Sequence, residues 1–335
     1  MSNQSEKSQV IVILGTTASG KTSLGVALAR QLNGEIISAD SRQVYCGLDV
    51  GSGKDLSEYG EKILPLPEGE LEGVGDKSFV PYHLINVADP KDRFSVAEYQ
   101  KMAYAAIEDV LSRGKQPIIV GGSGQYLEAV VEGYQLKEIK PDEALRADLE
   151  DKEVEELFEI LKEKNPAFAE KLNNSDKNNK RRLIRYIEVA SKALENLPEE
   201  PKGEVFCRKN SVYDFLILGL THPAEALSVK IKKRLIERLE KENMIQEVSD
   251  LHDKTGLSWE RLIEFGLEYK FIAQYLQEKI DYDQMVELIH RASCQFAKRQ
   301  MTWYKRWEKQ GRKIFWVSGM DEAQEKINKF LFVNK

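Results

Sequence analysis

Apolar and polar positions along the 335-residue chain fall into two regimes. In the first, short apolar runs alternate with segments of helical spacing. Val10-Ile11-Val12-Ile13-Leu14 is continuously apolar, the pattern of a buried strand, and Ser23–Ala29 follows with a helical pattern. Gly34-Glu35-Ile36-Ile37-Ser38-Ala39-Asp40 predicts a second short buried strand that ends in a carboxylate. Val80–Val87 predicts a third and Pro117-Ile118-Ile119-Val120 a fourth. Ahead of the fourth strand, Ser95 with Glu98 three residues on has capping-box spacing, and a helix runs through Ala105, Ile107 and Val110 to Gly114. Strands alternating with helices in this way predict an α/β domain with a parallel sheet.

The second regime begins near Leu136. Residues 137–196 are helical, charge-dense and without strand patterns, and Leu149–Leu157 reads as a solvated acidic face. Leu197-Pro198-Glu199-Glu200-Pro201-Lys202-Gly203 has linker composition. The strand pattern returns at Tyr213–Leu220. It is followed by helices predicted over Ala224–Leu251, Leu262–Leu276 and Tyr282–Trp307, and by a last strand at Ile314–Val317. The expected organisation is an α/β core in two parts, 1–135 and 205–335, the second carrying C-terminal helices, with a helical domain inserted over 136–204. Residues 56–79 lack periodicity and read as a surface loop.

Composition narrows the class. The chain is 41% hydrophobic and 31% charged, as ordinary globular proteins are. It has no apolar run of membrane-spanning length and a polar Met1–Ser8 start, so a cytoplasmic protein with no membrane partner is expected. Cys46, Cys207 and Cys294 are odd in number and widely spaced, which predicts free thiols in a reducing compartment. No metal-ligand spacing links them to the four histidines, and His83 is expected to be structural. A net charge of −6 argues against a generic nucleic-acid coat but leaves room for a local basic groove. A monomer is expected.

The candidate chemistry centres on Gly15-Thr16-Thr17-Ala18-Ser19-Gly20-Lys21-Thr22, a full G-x-x-x-x-G-K-[ST] match between a strand and a helix. Gly15 and Gly20 let several N–H groups turn inward at a helix N-terminus, forming an anion nest. Lys21 adds a point charge, and the Thr22 hydroxyl can ligate magnesium (Mg2+) carried by phosphates. The fold class is therefore α/β, a P-loop NTPase-like parallel sheet core with an inserted all-helical domain and C-terminal helices. Asp40 ends the next strand, near the nest, as a general base, a magnesium-shell carboxylate or an N-cap. Gly121-Gly122-Ser123-Gly124 is a second glycine-rich strand-to-helix turn and brings a hydroxyl to the same cleft, or simply starts a helix tightly. Arg181, Arg182 and Arg185 share one helix, as an anion-binding face or a solvated one. Lys298 and Arg299, interleaved with Trp303, Tyr304 and Trp307, suit nucleic acid or an amphipathic helix with inward aromatics.

Taken together, segments 15–22, Asp40-Ser41-Arg42-Gln43-Val44-Tyr45 and Gly121–Tyr126 resemble successive motifs of the tRNA dimethylallyltransferases, also called tRNA isopentenyltransferases. Tyr82–Ile85, Arg182–Val189 and Ala297–Gln300 with Trp303 extend the resemblance from about Val10 to Trp316. It implies transfer of a dimethylallyl group from dimethylallyl diphosphate to N6 of the adenosine at position 37 of tRNA, beside the anticodon, with release of diphosphate. The loop 15–22 would hold the diphosphate, with Mg2+ as cofactor. Asp40 would take the N6 proton, and Ser123, where the family usually has Thr, would keep a hydroxyl for diphosphate or base contact. Ser41, Arg42 and Gln43 would meet the extruded adenine and its neighbours, and Arg181, Arg182 and Arg185 the tRNA. Arg234 is the candidate for a diphosphate-facing arginine. Thr16 stands where Pro is usual. A P-loop small-molecule kinase or NTPase, or an isopentenyltransferase acting on free adenine nucleotides, are the competing readings. No strand ending in a Walker-B Asp supports the kinase, and the basic C-terminal helices favour tRNA.

Overall fold

The apolar runs become strands that pair side by side, because backbone groups buried on both faces must find their hydrogen bonds within the sheet. In the computed structural model, residues 7–60, 79–135, 142–192, 207–208 and 212–332 are described. The chain opens with β1 (Gln9–Gly15), α1 (Lys21–Gln31), β2 (Gly34–Ala39), β3 (Tyr82–His83), α2 (Val96–Ser112), β4 (Gln116–Gly121) and α3 (Gly124–Glu132). There follow β5 (Tyr134–Gln135), α4 (Glu143–Glu150), α5 (Val154–Lys164), α6 (Pro166–Lys171), α7 (Asn174–Lys177), α8 (Lys180–Lys192) and β6 (Cys207–Arg208). The chain closes with β7 (Asp214–Leu220), α9 (Ala224–Lys241), α10 (Met244–Asp253), α11 (Trp259–Phe265), α12 (Leu267–Leu276), α13 (Tyr282–Lys309), β8 (Phe315–Trp316) and α14 (Met320–Phe332).

Two units emerge, Met1–Val131 with Ser211–Lys335, and Glu132–Asn210. The first holds a six-stranded sheet in the order β3-β2-β4-β1-β7-β8, parallel throughout. Alternate residues of β1 feed opposite faces, as the strand period requires. Val10, Val12 and Leu14 join a core with Tyr99, Leu127, Tyr304 and Trp307. Ile11 and Ile13 join another with Leu24, Leu28 and Ile327. The second unit packs α4 to α8 around Leu157, Leu161, Leu183 and Ile187, and β5 pairs with β6 antiparallel.

Local chemistry sets the boundaries. Ser95 and Glu98 form the expected reciprocal cap of α2. The helix expected over Ala224–Leu251 is two, because Asn243 takes φ 55 between α9 and α10. The helix expected over Leu262–Leu276 is also two, broken at Gly266 with φ 71 and ψ −170. The strand expected over Val80–Val87 shrinks to Tyr82–His83, because Leu84 and Asn86 turn left-handed at φ 63 and 57. The linker at 197–203 and residues 61–78 of the expected surface loop lie outside the described residues. Among the described residues no helix is long and apolar enough to cross a membrane.

At the amino end of β2 the buried Glu35 gathers two cations and a histidine. Arg113 Nη2 donates to it at 2.8 Å and Lys115 Nζ at 2.8 Å, and His83 Nε2 lies 2.8 Å away, a structural place for that histidine. The Arg113 guanidinium foremost holds the Glu35 carboxyl far below the ordinary carboxylate range. A folded pKa below the unfolded one means a contribution complete above the unfolded value and lost as pH falls from there through the folded one. Glu35→Gln is expected to cost about 1.5–3 kcal/mol near neutral pH. In urea unfolding the gap from the parent should narrow at about pH 3; a gap independent of pH would refute the ionic account.

Candidate active site

Strands β2, β4 and β1 are neighbours, so the residues that follow them stand side by side at the carboxyl edge of the sheet, where parallel sheets bind ligands. At the end of β1, a Cβ on Gly15 would meet the Leu220 carbonyl oxygen at 2.7 Å, so the close approach of β7 excludes a side chain. Gly20 takes φ 88 and Ala18 φ 59, and these left-handed turns aim backbone N–H groups into the concavity before α1. Thr16 Oγ1 and Ser19 Oγ are buried without a protein partner, leaving two hydroxyls for a polar ligand. Lys21 Nζ reaches the Thr16 carbonyl at 3.4 Å, and Thr22 follows at the start of α1.

Asp40 and Ser123 meet across the ends of β2 and β4. Asp40 Oδ1 accepts from the Arg42 N–H at 3.0 Å, capping a turn and not a helix. Ser123 Oγ accepts from the Ser41 N–H at 2.9 Å, which ties the two turns together. Enclosure pushes the Lys21 ammonium below its ordinary value; the Asp40 carboxylate opposes that shift, and Arg234 adds to it. Asp40, Arg234 and Asp55 therefore act electrostatically on Lys21. Arg234 Nη2 bonds Asp55 Oδ2, and Arg238 Nη2 reaches Asp55 Oδ1 at 3.2 Å.

The remaining sequence candidates fall elsewhere. Gln43 donates to the Gly53 carbonyl at 2.9 Å and accepts from Ser38 Oγ at 2.9 Å, so its amide is engaged inside the protein. Arg42 pairs with Glu268 at 2.7 Å and lies 5.9 Å from the Phe296 ring centroid. Lys298 and Arg299 are exposed on α13, and Lys298 lines a cavity of about 770 Å³ that reaches Thr16. Arg181, Arg182 and Arg185 belong to α8 in the second unit. Arg181 is exposed there, Arg182 bonds the buried Asp176, and Arg185 donates to the buried Glu188 at 3.0 Å.

Across this whole span the chain matches known proteins. A family profile described as IPP transferase covers residues 43–307, and one described as isopentenyl transferase covers residues 8–63. The chain belongs to the IPP transferase family. The tRNA dimethylallyltransferase 2 of Treponema denticola is 45% identical over 315 residues, 93% of this chain and 97% of that one. The tRNA dimethylallyltransferase 2 of Shewanella sediminis is 42% identical over 316 residues, 94% and 95% of the two. Among solved structures, the tRNA isopentenylpyrophosphate transferase of Bacillus halodurans aligns with TM-score 0.62 at 29% identity, over 97% of this chain and 96% of its own. A eukaryotic dimethylallyltransferase shares the fold at TM-score 0.72 and 24% identity, over 98% and 80%.

In this IPP transferase, two side chains of α13 shape the loop, and Tyr304 is one of the aromatics for which the sequence left both an outward and an inward role open. The Thr17 N–H donates to Gln300 Oε1 at 2.8 Å, and Gln300 Nε2 donates to the Gly122 carbonyl at 2.9 Å. Tyr304 Oη lies 3.2 Å from both the Gly15 and Gly122 carbonyls. Ala297, Gln300, Tyr304 and Trp307 recur at three- and four-residue intervals and are buried, so helical spacing carried the signal. The sequence reading also gave no role to Lys54, Asp55 and Glu247. Lys54 Nζ is buried against the Tyr45 carbonyl at 2.7 Å and Asp49 Oδ1 at 2.5 Å. Glu247 accepts from the N–H groups of Asp49, Val50 and Gly51 at 3.1, 2.5 and 3.1 Å. Gln300→Ala is expected to weaken binding of inorganic diphosphate about tenfold, one buried hydrogen bond's worth, with helix content unchanged. Titration calorimetry checks this; unaltered affinity would mean that Gln300 does not shape the loop.

Proposed function

We propose that this IPP transferase moves the dimethylallyl group of dimethylallyl diphosphate onto N6 of the adenosine at position 37 of tRNA, releasing diphosphate. The observation that carries the reading is the grouping of the anion nest, Lys21, Asp40 and Ser123 at adjacent strand ends, in a chain whose relatives over nearly its full length are named tRNA dimethylallyltransferases. Those same relatives weigh against a kinase and against free adenine nucleotides as acceptors.

The reaction forms an N6–C1 bond, breaks the C1–O bond to diphosphate and releases one N6 proton. The backbone N–H groups that open α1, with Lys21, stabilise the charge that grows on the departing diphosphate. Arg234 adds positive potential at Lys21, tempered by its pairing with Asp55. Asp40 accepts the N6 proton. Ser123 holds the Ser41 backbone, and so the turn that presents Asp40.

No group of three or more His, Cys, Asp or Glu side chains able to hold a metal ion occurs among the described residues. The half-buried Thr22 beside Lys21 suits a hard cation that keeps most of its oxygen shell from phosphate and water. Thr22 would hold such a Mg2+ ion, which when bound neutralises diphosphate charge.

The direct test is nucleoside analysis of tRNA after incubation with the protein, Mg2+ and dimethylallyl diphosphate. An N6-dimethylallyl adenosine at position 37 is the expected product, and unmodified tRNA would refute the proposal. Asp40→Asn should slow single turnover about 10²–10⁴-fold while tRNA and diphosphate affinities stay within several-fold. A collapse of binding with normal chemistry would make Asp40 an anchor.

Salt dependence separates the α8 arginines. Arg181→Ala should lower the slope of log affinity against log salt by about 0.7–0.9. Arg182→Ala should show chiefly as lowered stability, since it takes the guanidinium from the buried Asp176, and Arg185→Ala should cost less, since Arg146 still pairs with Glu188. Equal slopes for the parent and Arg181→Ala would remove α8 from the tRNA surface.

A further inference from the structure

The cavity beside Thr16 contains a cluster that the transfer reaction does not use. Its wall combines Leu227, Ser228 and Ile231 of α9 with Cys294, Ala297 and Lys298 of α13, and its volume of about 770 Å³ is in the range of small-molecule sites. Cys294 is free and half-buried. Its Sγ lies 3.5 Å from His290 Nε2 and 3.6 Å from Ser228 Oγ. His290 Nε2 also lies 3.1 Å from Ser228 Oγ and 3.2 Å from the Ser228 carbonyl oxygen. The thiol donates toward the Ser228 hydroxyl, and the imidazole nitrogen stands within reach of the thiol proton. Lys298, one helical turn beyond Cys294, adds positive charge on the same wall. A thiol beside a base of this kind is activated as a nucleophile.

Two further observations connect the sulfur to the anion loop. Cys294 packs against a small apolar cluster of Ala18, Leu227, Ile231 and Ala297, and Ala18 is the loop residue held at φ 59. The buried Thr16 hydroxyl, 1% exposed and without a protein partner, lines the same cavity.

We propose that Cys294 is a modification site for low-molecular-weight disulfides, and that the adduct disables the loop behind it. As His290 takes its proton, the Cys294 sulfur attacks one sulfur of the disulfide RS–SR. A Cys294–S–S–R bond forms, the original S–S bond breaks, and RS⁻ leaves and takes a proton. Cys294 is oxidised and one half of the reagent is reduced. The new group occupies the cavity and crowds Ala18, whose strained backbone has little freedom to move.

Glutathione disulfide is the probe, applied to the full chain, with peptide mass mapping to follow Cys294 and the exposed Cys46 in the same sample. Cys294 should react about tenfold faster than Cys46 although it is less exposed, and the two rates should converge in urea. Ser228→Ala and His290→Gln should each slow Cys294 several-fold and leave Cys46 unchanged. Reaction at Cys294 no faster than at Cys46, or indifference to both substitutions, overturns the site. Transfer activity should fall in step with the adduct, return with dithiothreitol, and persist under the same treatment in Cys294→Ala. This readout rests on the transfer reading, whereas the mass readout does not. An adduct that leaves transfer intact overturns the coupling to the loop, while absence of transfer before treatment counts against the proposed function alone.

Discussion

One amide side chain satisfies two strand ends at once. Gln300 accepts from Thr17 in the anion loop and donates to Gly122 at the end of β4. Both are backbone groups that burial would otherwise leave without water or partner, at a cost of about 1–3 kcal/mol each. Tyr304 repeats the arrangement one turn later on the Gly15 and Gly122 carbonyls. The loop geometry therefore depends on where α13 lies. That position depends in turn on Trp307 and Ile289, buried along the same helix, and on the reciprocal cap at Asp281 and Gln284 that starts it. A nest that must wrap a highly charged ligand is held from behind by neutral groups, so its own field stays available to the ligand.

Around this frame the charges are arranged in opposition. The chain is acidic overall, yet the loop is faced by Lys21 with Arg234 and Arg238 nearby on α9. Asp55 lies between those arginines and keeps them from repelling one another. The segment that carries Asp55 is itself fixed by the buried Lys54 and by Glu247, whose carboxyl burial pushes upward and whose N–H donors pull back. Removal of Asp55 from such a cluster leaves like charges facing each other. Coupled responses among Lys21, Arg234 and Asp55 follow from that geometry.

Much of this was legible in the chain. The anion loop, the carboxylate after β2 and the hydroxyl after β4 follow from local grammar, in which apolar runs end in residues that cannot continue a strand. Ser95 with Glu98 is legible for the same reason. The breaks at Asn243 and Gly266 were not, because apolar spacing continues across them and only tertiary packing makes a left-handed residue worthwhile there. The engagement of Gln43 with Ser38 and Gly53 also escaped sequence, since an amide in a polar motif reads equally as a ligand contact. Most instructive is α13. Its basic residues suggested an outward nucleic-acid face and its aromatics an inward one, but nothing in the spacing marked Gln300 on the inward stripe as the amide that braces the loop.

The bond between Thr17 and Gln300 spans 283 positions, and that between Gly15 and Tyr304 spans 289. During synthesis the anion loop leaves the ribosome well before its brace. At about 5–20 residues per second, roughly 15–60 s separate the two. Through that interval the nascent chain has the glycines, the lysine and the helix start, but nothing to hold Thr17 and Gly122 in place. Ligand affinity therefore arrives only once α13 has been made, long after the loop that will carry it.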